Sequence, residues 1–281
     1  MIGRTAGLLV DLHVDRQPAG WRFVDRPGRD AARTAAYLRE DLDELAEAYD
    51  AWDGPLKVQV TGPWTLAASI ELNRGERSVS DPGARREIVE SLAEGVRAHL
   101  ARVQSLVPGA HLVLQVDEPA LPAVLAGRLP TQSGYGLVRS VDRAEVTTGL
   151  RQVIAARGER SSVVHCCHGD APIALLANVG ASAVALDLEV IGLTAWEAMA
   201  TAIEGGVDLW AGAISTAEDG AARWQAARNT VTTPWHRVGL SLADLDRVVV
   251  TPSCGLAGLG PSEAIARQRC ANETARALTE A

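Results

Sequence analysis

The 281-residue sequence has no apolar run long enough to cross a bilayer. Its longest runs are strand-sized, well short of the ~20 residues a spanning helix needs. It has no clustered Lys and Arg, and its net charge of −8 with a pI near 5.3 leaves no basic footprint for nucleic acid or for a membrane surface. The N-terminus, Met1-Ile2-Gly3-Arg4, lacks the long apolar core of a signal peptide, so the expected location is the cytoplasm. No Gly/Ser linker and no repeat of fixed period interrupts the chain, which predicts one domain over residues 1–281. Cysteine is scarce: four residues do not make a disulfide framework. The 47% hydrophobic and 22% charged content is that of a folded globular protein.

What is present is an alternation of short β-branched runs with long amphipathic segments. Six runs read as parallel strands covered on both faces: Leu56–Val60, His111–Val116, Ser162–Val164 leading into His165, Ala183–Leu188, Val207–Ala211 and Val248–Thr251. Between them the pattern predicts helices over Arg85–Val103, Arg143–Ala156, Ala171–Asn178, Ala195–Glu204 and Ala217–Arg228. Asp30–Tyr49 is a further helix, with Leu38, Leu42 and Leu45 on one stripe, and Ser262–Thr279 closes the chain with Ser262 as the expected N-cap. Residues 5–25 predict a ribbon. Strand–helix alternation yields an open doubly wound sheet or a closed barrel. Gly255–Gly260 is glycine-dense, but it follows the last strand rather than the first, where a dinucleotide turn belongs. Asp117, Glu118, His165, Cys167, Asp187 and Cys254 all fall at or just past strand C-termini, where barrel enzymes place their chemistry. The expected fold is therefore α/β, a (β/α) TIM-type barrel that lacks its first two βα units, with residues 1–29 irregular or ribbon and six parallel strands after residue 55.

The densest chemistry lies in Val164-His165-Cys166-Cys167-His168. Zinc favours thiolate and imidazole, and a catalytic site takes three protein ligands and leaves a position open. Residues i and i+2 of a strand share a side, so His165 and Cys167 can converge on one ion while Cys166 and His168 face away. A further ligand can come from Asp187 or Glu189 in Ala185-Leu186-Asp187-Leu188-Glu189, or from Cys254 after the last strand.

His165-x-Cys167, a downstream acidic residue and Pro252-x-Cys254-Gly255-Leu256 resemble the zinc site of the cobalamin-independent methionine synthase family. Val116-Asp117-Glu118-Pro119-Ala120-Leu121 resembles that family's acidic strand-end motif, and Thr61-Gly62-Pro63-x-Thr65 resembles another landmark; all four occur in the family's order. The resemblance implies a zinc-dependent methyltransferase acting on the thiol of homocysteine to give methionine. It implies His165, Cys167, Cys254 and a carboxylate as zinc ligands and Asp117 as the anchor for the homocysteine ammonium group. Asp117 and Glu118 are candidate catalytic groups, Glu118 and Glu189 candidate substrate contacts, and Trp64, after the Gly-Pro turn, a further candidate at the mouth of the site. Counting from Cys167, the family's spacing puts the carboxylate ligand at Glu189, whereas matching strand to strand puts it at Asp187. Loops gain and lose residues more readily than strands slip register, which favours Asp187.

The chain also departs from the family's pattern. Nothing corresponds to the N-terminal half of the long form, nor to the first two barrel units. The region near Ser69 lacks the tryptophan on which the family stacks a pterin, and Gly212-Ala213-Ile214-Ser215-Thr216 lacks the Asp and His of its proton-donating pair. The expected methyl donor is accordingly either a methyltetrahydrofolate or a methyl-corrinoid protein.

Overall fold

The computed structural model describes residues 1–217 and 223–280, and these divide into two compact units, Met1–Ser162 and Val163–Ala281.

The first unit begins with a short helix α1 (Ile2–Ala6) and an antiparallel hairpin, β1 (His13–Gln17) with β2 (Gly20–Val24). The expected ribbon is thus a true hairpin over a narrower span. Helix α2 (Arg29–Ala48) follows and buries no residue, so its leucine stripe is only half covered. In β3 (Pro55–Thr61), Leu56, Val58 and Val60 are buried, while Lys57 and Gln59 alternate with them onto the other face. Then come α3 (Pro63–Ser69), the two-residue β4 (Ile70–Glu71) and α4 (Pro82–Leu106). The Asp81 carboxylate caps α4 by accepting from Ala84 N at 2.8 Å, and Ile88, Leu92, Val96, Leu100 and Val103 form its buried stripe. Strand β5 (His111–Asp117) pairs in parallel with β3, with Gln59 opposite Gln115 and Thr61 opposite Asp117. After α5 (Leu121–Ala126), α6 (Arg143–Ala155) is capped by Asp142 and tied to α4 by Arg85–Glu145 at 2.7 Å.

The second unit takes up β6 (Ser161–Cys166) and continues through α7 (Ile173–Leu176), β7 (Ala183–Asp187), α8 (Leu193–Glu204), β8 (Asp208–Ile214), α9 (Trp224–Arg237), β9 (Val248–Pro252) and α10 (Pro261–Thr279). Strands β6 to β9 pair in parallel in chain order. Val163, Val164, Val184, Leu186, Leu209 and Ala211 of the strands are buried, as are Trp196, Met199, Ile203, Val231 and Trp235 of the helices.

The α/β class and the six strands expected after residue 55 are present, and each lies within a residue or two of its expected span except β8. That strand runs three residues past the expected end at Ala211, because Gly212 pairs with both Asp187 and Thr251 and Ile214 with Pro252, across a register irregularity. The helix expected over Ala217–Arg228 begins at Trp224 and runs to Arg237, carrying Pro234 inside it; residues 218–222 lie outside the described residues. The cap of α10 is Gly260 rather than Ser262: Pro261 takes the first helical position, where its missing N–H costs nothing, and the Glu263 carboxylate accepts from Gly260 N at 2.9 Å.

Candidate metal centre

His165 is the penultimate residue of β6 and Cys167 follows the strand's end. Cys166, between them, is fully buried on the opposite side, and His168 is exposed, its Nδ1 accepting from Asp170 N at 3.0 Å. Cys254 lies two residues past β9. The Ser253 hydroxyl before it stands 3.3 Å from the Thr216 hydroxyl, and Ser253 N donates to Ile214 O at 2.9 Å, which holds this turn against the end of β8. The result is a convergence of His165, Cys167 and Cys254, whose ligand atoms all lie within 4.8 Å of one another. Around a tetrahedral ion with bonds of ~2.0–2.3 Å, ligand atoms sit about 3.5 Å apart, so modest side-chain adjustment closes the trio on a common centre. The donor set of two sulfurs and an imidazole fits zinc in a site that leaves a fourth position for carboxylate or substrate.

Burial first, and then the neighbouring Cys254 as a like group and hydrogen-bond partner, push the Cys167 thiol up to about 11. Two thiols facing each other disfavour the thiolate; a dication between them reverses that balance. Asp187, at the end of β7, is near enough for its charge to act on Cys167, and burial raises its own pKa. Its Oδ1 accepts from Glu189 N at 3.0 Å, and the Glu189 side chain is exposed. Neither carboxylate joins the close group, which among the described residues consists of the three side chains above.

Glycine 212 makes the convergence sterically possible. A Cβ there would stand 2.5 Å from Leu186 O and 2.8 Å from Ser253 Cα. The strand end preceding Asp187 and the turn preceding Cys254 therefore close over a position that has room for no side chain.

The other sequence-predicted residues, Trp64, Asp117 and Glu118, lie in the first unit. Trp64 is 1% exposed and donates from its indole N–H to Val146 O at 3.2 Å, as a core residue does. Glu118 is fully buried. Its Oε1 accepts from Trp64 N at 2.9 Å, and its Oε2 from Thr65 N at 2.8 Å and Thr65 Oγ1 at 2.7 Å. It braces the start of α3 in place of a cap residue. Burial is the main cause that lifts its carboxyl to about 7, and the Thr65 and Trp64 bonds oppose the rise. The Thr61-Gly62-Pro63-Trp64-Thr65 turn is thus shaped by Glu118, and a Cβ at Gly62 would stand 2.3 Å from its Oε1. Asp117 is also buried, with Oδ1 accepting from Gln115 Nε2 at 2.7 Å and Oδ2 from Gln59 Nε2. The sequence reading did not single out Gln59, Gln115 or Gly212. Their signals were a carboxamide two residues before the Asp-Glu pair, another on the adjacent strand, and a glycine inside an apolar strand.

At parallel strand ends of an α/β fold the chain thus carries a His/Cys/Cys group that could hold a metal ion. The chain matches, over residues 1–277, the family described as "Cobalamin-independent synthase, Catalytic domain", and it belongs to that family, whose activity is methyl transfer in methionine synthesis. No curated protein sequence matches it. Among solved structures it is similar to a protein described as an alpha-L-fucosidase from Bacteroides thetaiotaomicron VPI-5482, at 10% identity over 89% of this chain and 75% of that one, TM-score 0.32. It is also similar to a 2,3-dimethylmalate lyase of the PEP mutase/isocitrate lyase superfamily, at 15% identity over 81% and 85%, TM-score 0.30. Likenesses this slight say nothing about activity.

Proposed function

We propose that the protein is a zinc-dependent S-methyltransferase that places a methyl group on the thiol of homocysteine, giving methionine. The convergence of His165, Cys167 and Cys254 supports the reading most directly, together with membership of the synthase family. Zinc, when bound, supplies Lewis acidity that favours the thiolate form of a substrate thiol at neutral pH. The chain's own groups do the rest. Cys167 and Cys254 are sulfur donors that keep the centre electron-rich, and His165 is the imidazole donor. Asp187 is the proposed carboxylate ligand, ahead of Glu189, because it ends its strand and acts electrostatically on Cys167, whereas Glu189 lies exposed two residues further on. Asp117, held by two carboxamides, is the proposed partner of the substrate ammonium group.

The methyl donor is a methyltetrahydrofolate or a methyl-corrinoid. The absence of an Asp/His pair across Gly212–Thr216 favours the corrinoid, because that donor needs no proton delivered to a leaving pterin. The decisive experiment measures zinc content and methyl transfer to homocysteine from each donor in turn. One equivalent of zinc and methionine formation from one donor is the expected result. A protein that binds no zinc, or whose methyl transfer survives loss of both Cys167 and Cys254, sinks the reading.

A further inference from the structure

The chain contains one lysine, Lys57, in a sequence whose other strongly basic residues are all arginine. It stands in the middle of β3, on the face where Leu56, Val58 and Val60 are not. Parallel register puts Gln59 of β3 and Gln115 and Asp117 of β5 on that same face. Diagonal neighbours on such a face are within reach of long side chains, and here four of them close a ring. Lys57 Nζ donates to Gln115 Oε1 at 2.9 Å and to Gln59 Oε1 at 3.3 Å. Gln115 Nε2 donates to Asp117 Oδ1 at 2.7 Å, and Gln59 Nε2 donates to Asp117 Oδ2.

The ring has one chemically consistent sense. A carboxamide can present either its oxygen or its NH2, but an ammonium has donors only and a carboxylate acceptors only. Lys57 therefore fixes both amide oxygens towards itself and both NH2 groups towards Asp117. A compact ammonium with three protons can serve two oxygens converging on one point, a geometry a flat guanidinium fork does not match. Partial desolvation lowers the Lys57 pKa and the Asp117 charge opposes the fall, in keeping with an amine built into the ring.

We propose that Lys57, Gln59 and Gln115 are positioning residues that fix the direction of the Asp117 carboxylate and thereby set a preference for thiols bearing an amino group over thiols without one. This rests on the proposed pairing of Asp117 with the homocysteine ammonium group. Two charge-assisted hydrogen bonds lock both carboxylate oxygens before any substrate arrives, so the ammonium meets an acceptor that is already oriented. Lys57 acts at one remove, through the amides.

The test compares equilibrium binding of homocysteine and of 4-mercaptobutanoate, the same thiol without its amino group, to the zinc-loaded full chain. In Gln115→Met the Kd for homocysteine should rise about tenfold, the worth of a hydrogen bond to a charged group, while that for 4-mercaptobutanoate stays put. Gln59→Met, at an exposed position, should act in the same direction without threatening the fold. Lys57→Met should raise the homocysteine Kd by a smaller factor, with zinc content unchanged. Equal changes for both thiols, or none for either, in Gln115→Met and Gln59→Met would show the ring to be scaffolding and overturn the proposal. Asp117→Asn separates the layers. If it leaves the ratio of the two Kd values at the wild-type level, the reading of Asp117 itself fails. If it collapses that ratio while the glutamine variants keep it, only the positioning claim fails.

Discussion

Glu118 and Cys167 both sit just past the end of a parallel strand, and both have a pKa pushed upward by burial, to about 7 and about 11. Their surroundings are otherwise opposite. Glu118 is fully enclosed, and both its oxygens are taken by donors from the turn it holds. Cys167 is half-buried and faces a second thiol, with an imidazole alongside and a carboxylate within electrostatic range. Glu118, whose donors are the backbone and hydroxyl of the turn it holds, is a brace. His165, Cys167 and Cys254 are instead a donor group that could hold a metal ion, because a positive centre favours the thiolates that their mutual proximity disfavours. Proximity to a strand end alone does not separate the two cases; the partners do.

The comparison breaks first at the metal. Cys167→Ser or Cys254→Ser should weaken zinc affinity at least ~100-fold, since a thiolate ligand is lost outright. Cys166→Ser, buried on the other side of β6, should keep its zinc and lose only about 1–2 kcal/mol of stability by placing a hydroxyl in an apolar site. Zinc titration and denaturant unfolding of the three variants check this together. Loss of metal in Cys166→Ser alone would exchange the roles of the two adjacent cysteines.

The brace should fail in the opposite manner. Glu118→Ala leaves two backbone N–H groups and the Thr65 hydroxyl without their acceptor, at about 2–4 kcal/mol, while zinc binding is retained. Glu118 also has a pH signature. Its folded pKa, about 7, lies above the ordinary carboxyl value of 4.5, so the folded state holds the proton more tightly. Its contribution to stability is full below about pH 4.5 and is lost as pH rises towards 7, with a slope of at most about 1.4 kcal/mol per pH unit. In Glu118→Gln that slope should vanish from the stability profile; an unchanged profile would show that the carboxyl titrates normally.

Between the two lies Gly212, a backbone position with no chemistry that nonetheless shapes the metal cluster. Gly212→Ala should cost about 1–3 kcal/mol through overpacking against Leu186 O and Ser253 Cα, and should lower zinc affinity by displacing the Cys254 turn. Destabilisation with intact zinc affinity would detach the glycine from the site. The smallest expected effect, about tenfold in zinc affinity, is the difference between Asp187→Ala and Glu189→Ala, with Asp187 the larger loss; the reverse order would show that residue counting, not strand matching, finds the carboxylate.

Much of this was legible in the sequence. The β-branched runs fixed all six parallel strands because a strand covered on both faces admits little else, and the period of two put His165 and Cys167 on one side with Cys166 on the other. Four motifs in family order identified the family that matches residues 1–277. Helix starts were less legible. Ser262 is a good capping residue, but Pro261 beside it claims the first helical position and moves the cap to Gly260. Short α3 carries no long periodic pattern, and its start depends on Glu118, a residue remote in sequence.

The sequence by itself determined which side chains alternate onto which face of a strand, since that follows from local backbone geometry. Only the tertiary structure decided which of those faces meet. Cys254 joins His165 and Cys167 because β6 to β9 lie side by side and Gly212 lets their ends close. The same level of structure encloses Trp64 and Glu118 and links Lys57 to Asp117 through two glutamines. Pairing register and packing are long-range properties, set by the burial of many apolar side chains at once, and no single motif contains them.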